Sequence, residues 1–155
     1  MFHAQRDARH TLKMSRIIPA SRKEVFEAWT TAESLKQWIC PEDSSVSFIE
    51  LDVRVGGTFR IEMQHADEGE MVLTGTYREI RPPEKLVFTW VSKHTHFRDS
   101  LVTLDFIARG EATELILLQT QLPDDEAVER HTAGWRQLMD HLAMVLQKRS
   151  RRPLQ

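Results

Sequence analysis

The hydrophobic and polar positions along this chain change period several times, and each change marks an element. In residues 11–18, TLKMSRII, Leu12 and Met14 alternate with Thr11 and Lys13, which predicts a strand ended by Pro19. Ser21-Arg22-Lys23-Glu24 has capping-box spacing and predicts a helix over 21–30 that buries Val25, Phe26 and Trp29. Thr30 to Glu33 repeats that spacing and predicts a second short helix over 31–39, carrying Leu35 and Trp38 and stopped by Pro41. The two helices read as a compact elbow, not a crossover.

From residue 45 the period drops to two. Ile49, Leu51, Val53 and Val55 alternate with Glu50, Asp52 and Arg54 until Gly56-Gly57 turns the chain. Phe59, Ile61 and Met63 then alternate with Arg60, Glu62 and Gln64, and Asp67-Glu68-Gly69 marks the next turn. Residues 71–81 form a strand through Gly75 and Tyr77, and Pro82-Pro83 make the connection that follows. KLVFTWVS, residues 85–92, is a strand on β-branched and aromatic content, and 93–99 is a polar loop. Strands over 100–109 and 113–122 flank Gly110. The helical period then returns over 124–148, where Trp135, Leu138, Met139, Leu142, Val145 and Leu146 make one apolar stripe. Asp124, Asp125 and Glu126 at its start and Lys148 and Arg149 at its end suit the helix dipole.

The predicted order is strand, two short helices, six strands and a long helix, an α+β arrangement. Consecutive strands on short turns make an antiparallel meander, and the first strand must join the same sheet to satisfy its backbone. A seven-stranded sheet of this kind twists and curls. The long helix, about 36 Å of rod about 10 Å across, lies in that curl without filling it. A cavity between helix and sheet is the expected consequence.

Composition narrows the picture further. At 155 residues, 41% hydrophobic and 28% charged, the chain suits one domain with a real core. The expected division is an N-terminal arm over 1–10, a domain over 11–149 and a basic tail over 150–155. A net charge of −2 gives no general attraction to nucleic acid or to an anionic membrane. The single cysteine, Cys40, excludes an internal disulfide and fits a reducing cytoplasm. The start of the chain has no apolar signal-type region, and no apolar run approaches the ~18 residues that span a membrane.

Several pieces, in order, carry a family resemblance: Arg16 closing the first strand, EVFEAWT (24–30), ESLKQW (33–38), VGGTFRIEM (55–63), GTYREIRPPEKLVFTW (75–90), LVTLDF (101–106) and AGW (133–135). Over residues 11–148 the chain resembles the START-like, helix-grip superfamily called SRPBCC. More narrowly, it resembles the domain of the activator of heat-shock protein 90 ATPase homologues. The resemblance implies the helix-grip fold, also that of the birch-pollen allergen, with a curled sheet around a C-terminal helix. One departure is visible. Many members carry a second Trp after the first at the end of the short second helix; here Trp38 is followed by Ile39, Cys40 and Pro41, which implies a cavity rim of different shape or polarity.

The superfamily hosts lipid carriers, hormone receptors, cyclases and chaperone regulators, so fold alone does not choose a function. The first expectation is a cytoplasmic module holding an apolar or aromatic molecule. The second is a chaperone-interacting protein, although the eukaryotic activators carry an additional domain in front. The third is a cyclase or dehydratase using the same cavity. No cofactor, nucleic acid or membrane partner is expected, and monomer and homodimer both stay open.

Cavity candidates follow from the alternation. From the second helix and the strands they are Trp38, Phe59, Ile61, Met63, Tyr77, Phe88, Trp90, Val102, Leu104 and Phe106; from the last helix, Trp135, Leu138 and Met139. Core packing is the plain reading of each. Tyr77 is the expected polar handle, and Met63 with Met139 the adaptable wall. Gly134 costs up to ~1 kcal/mol in a helix, which suggests close approach of the helix backbone to a strand or ligand. Arg16 and Arg60 suit surface ion pairs, and Glu62 and Asp105 face outward on their strands. His94-Thr95-His96 has the alternation of a metal pair, but a closed site needs four ligands and none is assigned. No HExxH, CxxC or P-loop occurs, and no pair of groups has spacing that demands catalysis.

Overall fold

The computed structural model describes residues 10–150. The arm, except residue 10, and the tail beyond residue 150 lie outside the described residues. The elements are β1 (Leu12–Ile18), α1 (Arg22–Thr30), α2 (Ala32–Leu35), β2 (Ser44–Leu51), β3 (Thr58–His65), β4 (Gly69–Arg81), β5 (Lys85–Trp90), a 3-10 turn (Lys93–Thr95), β6 (Ser100–Arg109), β7 (Ala112–Thr120) and α3 (Asp125–Ser150). The strands form one antiparallel sheet in the order β1-β7-β6-β5-β4-β3-β2. The seven-stranded helix-grip architecture read from the sequence is present.

That order corrects the reading of the two short helices as an elbow only. β1 and β2 occupy opposite edges, so α1 and α2 carry the chain across the whole open face. Ser21 caps α1 with the full capping box, its hydroxyl taking the Glu24 N–H. The second predicted box is absent. Thr30 is the last residue of α1, and the hydroxyls of Thr30 and Thr31 bond back to the Phe26 and Glu27 carbonyls. β2 also stops short, at Leu51, leaving Val55 64% exposed in the turn. The turn is tied to β4 instead, through Gly56 N–H to Tyr77 O and Tyr77 N–H to Gly57 O.

β4 produces the curl. Its first part, to Thr76, pairs with β3, and its second, from Tyr77, with β5. The register shifts between Tyr77 and Glu79, and the first part is tied to the β5 side by the isolated Thr74–Val91 bridge and by the Thr76 N–H, which donates to Thr89 Oγ1 at 2.8 Å. At the bend, Gly75 faces Phe59 across the strands; a Cβ there would lie 2.3 Å from the Phe59 ring and 2.0 Å from Thr89 O. Only glycine permits that approach.

α3 lies in the curl. Asp124 accepts from Ala127 N–H at 2.8 Å and caps it. Trp135, Leu138, Met139, Leu142, Ala143 and Leu146 are buried along one side, against an inner sheet face that includes Ile18, Val102, Leu104, Phe106, Leu115 and Leu117. At the β1 edge of the helix-side face, Arg16 reaches Asp140 of α3 at 2.6 Å, and on the outer face Arg60 pairs with Glu62 at 2.7 Å. These are the surface pairs expected of the two arginines.

Candidate functional site

The four tryptophans meet in one cluster, although they come from α1, the turn after α2, β5 and α3. Ring centroids are 4.5 Å apart for Trp29–Trp38, 5.9 Å for Trp29–Trp135 and 4.8 Å for Trp90–Trp135. Three of the indoles have settled or notable polar ends. Trp38 Nε1 donates to Ala28 O, and Trp135 Nε1 donates to Gln119 Oε1 at 2.8 Å. Among the described residues, Trp29 Nε1 is a buried side-chain nitrogen without a hydrogen-bond partner.

The Trp135 bond opens a chain. Gln119 Nε2 donates to Ser100 Oγ at 2.9 Å, and Ser100 Oγ donates to Trp90 O at 2.7 Å. Gln119 and Ser100 are fully buried. The chain locks both tryptophans of the helix–sheet seam to β6 and β7.

Around this cluster lie two chambers that share Ile39 and Trp90. The inner one, about 20 Å³, is walled by Trp29, Phe59, Ile61, Tyr77 and Phe88 among others. It has room for about one water. The outer one, about 170 Å³, opens where α3 passes the splayed ends of β4 and β5. Its floor includes Ile39, Met63, Leu73, Trp90, Trp135 and Leu138, and its mouth Glu68, Ser92, His94, Arg130 and His131. Two other hollows, of about 370 and 330 Å³, lie away from the cluster, one beside Val145 and Arg149, one beside Phe26 and Pro82.

The predicted cavity residues therefore divide. Met63, Trp90, Trp135 and Leu138 line the outer chamber. Phe59, Ile61, Tyr77 and Phe88 line the inner one, which Trp90 also borders. Trp38, Val102, Leu104, Phe106 and Met139 line neither chamber and pack in the core. Tyr77 is not at the outer chamber; burial, reinforced by Asp52, pushes its hydroxyl up to about 12, so it stays protonated. The methionine facing Met63 in the wall is Met71, its cross-strand partner, not Met139. Gly134 does not admit a close neighbour: nothing lies within 4 Å of a Cβ built there, and the residue faces the outer chamber. Ile39 and Pro41, at the departure from the family's second Trp, both line that chamber.

The mouth is what the sequence reading missed. Residues 93–99 are not simply a solvated loop. Ser92 takes the His94 N–H, Thr95 is buried, and His96 and Phe97 both have positive φ. This tight turn sends the two histidines apart: His96 bonds Asp124 at 3.0 Å, while His94 enters the chamber mouth. Burial lowers the His94 pKa, as do Arg130, Lys93 and His131; Glu68 opposes them. His131 lies one turn before Trp135 and is buried, and burial is the chief cause of its lowered pKa. Its Nδ1 sits 2.8 Å from Ala127 O, so the neutral ring carries its proton on Nδ1. Among the described residues, no cluster of three or more His, Cys, Asp or Glu is placed to hold a metal.

The model of the family described as "Activator of Hsp90 ATPase homolog 1-like protein" matches residues 19–147. The chain belongs to this family. Solved structures similar to it include protein CV1439 from Chromobacterium violaceum, 26% identical, with a TM-score of 0.78 over 87% of this chain and 96% of that one. Protein NE0264 from Nitrosomonas europaea is 20% identical, with a TM-score of 0.77 over 92% and 97%. Protein SA2116 from Staphylococcus aureus, described as of unknown function, is 21% identical, with a TM-score of 0.77 over 92% and 96%. No curated protein matches the chain. As a member of the family, this SRPBCC domain has the helix-grip fold in which ligand binding is common. No helix among its described residues is long and apolar enough to cross a membrane.

Proposed function

We propose that this family member is a binding module for a small, ring-sized apolar molecule held between α3 and the sheet. One observation carries the reading: the chamber of about 170 Å³ walled by Met63, Leu73, Trp90, Trp135 and Leu138. A cavity of about 150 Å³ lined by apolar side chains takes up benzene in another protein. One ring with a short substituent therefore matches this space, and a long acyl chain or a three-ring molecule exceeds it. An apolar wall with a few polar groups at one side is the usual form of a small-molecule site. Met63 and Met71 give that wall some adaptability.

Gly134 supplies the test. Gly134→Leu adds an isobutyl group pointing into open space and removes a helix-interior glycine, so it should leave the fold intact. Single-ring compounds should quench the tryptophan fluorescence saturably in the native protein and fail to do so in Gly134→Leu. If no such compound saturates the signal in the native protein, the reading is wrong, and a pull-down against a heat-shock chaperone becomes the next experiment.

A further inference from the structure

We infer that the ligand of the outer chamber is an aromatic acid, its ring against Trp90 and Trp135 and its carboxylate at the mouth between Arg130 and His94. The inference rests on the proposed binding role and specifies the chemical class. The chamber is one-sided: its floor is apolar, and its polar side chains collect where Arg130 and His131 of α3 face the turn carrying Ser92 and His94.

The charges there favour an anion. Of the mouth's two charged side chains, Glu68 is already engaged by Lys93, at 3.9 Å. Arg130 has no salt-bridge partner among the described residues. Its guanidinium is a planar fork that matches a carboxylate. His94 and His131 are donors to an anion once protonated. A cationic ligand would meet the arginine and two imidazoles with one carboxylate that Lys93 already holds. A neutral ligand would fill the floor and leave Arg130 unused.

Proton coupling follows from the same geometry. His94 is faced by Arg130 and His131 from α3, Lys93 from its own turn and Glu68 from the β3–β4 turn. Burial and the positive neighbours outweigh Glu68 and favour the neutral ring. A carboxylate at the mouth adds a second negative neighbour and draws a proton onto His94. Anion binding should therefore tighten as the pH falls, and binding of a neutral isostere should not.

The probes are phenylacetate and phenylacetamide, equal in shape and different in charge, titrated by calorimetry and by tryptophan fluorescence. Phenylacetate should bind about tenfold more tightly than the amide, the size expected for one charge-assisted contact at a partly exposed site. Arg130→Gln, a change at an exposed position, should erase the difference by weakening phenylacetate more than the amide. His94→Gln should flatten the rise in phenylacetate affinity between about pH 8 and about pH 6. Equal binding of acid and amide, or an Arg130→Gln variant that still prefers the acid, would overturn the aromatic-acid assignment and leave the binding role standing. Failure of both probes, together with every neutral single-ring compound, would remove the binding role itself.

Discussion

At the scale of single residues, the most informative side chain is one that breaks its own pattern. Leu115 and Leu117 alternate inward on β7, and Gln119 continues that phase with an amide. The folded register thus places a buried polar group at 119, which the sequence does not show because Ile116 and Leu118 make the opposite phase equally apolar. Its partners are invisible in the sequence, because Ser100 and Trp135 lie on other elements and only the folded register brings them together. Gln119→Leu should cost about 2 kcal/mol, since it strands the Trp135 indole N–H in a dry seam. Urea unfolding would measure that cost. A shift in tryptophan emission should accompany it, because Trp135 loses its hydrogen bond and Trp90 its fixed neighbour. A neutral effect would mean that the chain of bonds does not set the position of the cluster. Gly134 and His94 give the converse lesson. Their unusual placement is plain in the sequence, but whether each faces a strand, solvent or a cavity depends on the path of a neighbouring element.

Elements were the most legible level, and their errors have local causes. Period and capping located α1, β3 and α3 closely, because each has one buried face and clear boundary chemistry. Alternation overextends β2 because Val53 and Val55 keep the period beyond the point where the chain leaves the sheet. The crossing by α1 and α2 is not legible in the sequence, because helix length says nothing about which edge the next strand joins. The order of the polar turn after β5 is hidden in the sequence because its hydrogen bonds run through Ser92 and Thr95, which read as ordinary loop residues. For α3 the sharpest test lies away from the chamber. Leu142 is fully buried and lines no chamber, so Leu142→Ala should cost roughly 2–5 kcal/mol in chemical denaturation. A loss below about 1 kcal/mol would show that the wall around it collapses, and that the helix seats more loosely in the curl than its burial indicates.

At the scale of the whole molecule, the chamber links global stability to pH. A wide curled sheet and one helix leave space at the splay of β4 and β5, and the chain closes its mouth with two histidines that the fold prefers neutral. Both have folded pKa values below the ordinary 6.5, with burial as the first cause. The unfolded chain therefore binds more protons than the folded one below that value, and stability must fall as the pH drops. Their full contribution is present above about pH 6.5 and is lost progressively as the pH falls toward their lowered folded values. Asp124 acts in a separate window. Its pKa is lowered from 3.8, first by the hydrogen bond from His96 and then by the Ala127 N–H, so its contribution is lost only at more acidic pH. The urea midpoint should thus decline between about pH 7.5 and about pH 5.5, and His131→Gln should reduce that decline. An unchanged decline would place its origin outside the chamber mouth. Saturation with an aromatic acid should oppose the decline, because the anion favours protonated His94 at the pH where the empty mouth resists it. The stabilisation given by phenylacetate should therefore grow as the pH falls while that given by phenylacetamide stays level, which ties the global measurement to the charge at the chamber mouth.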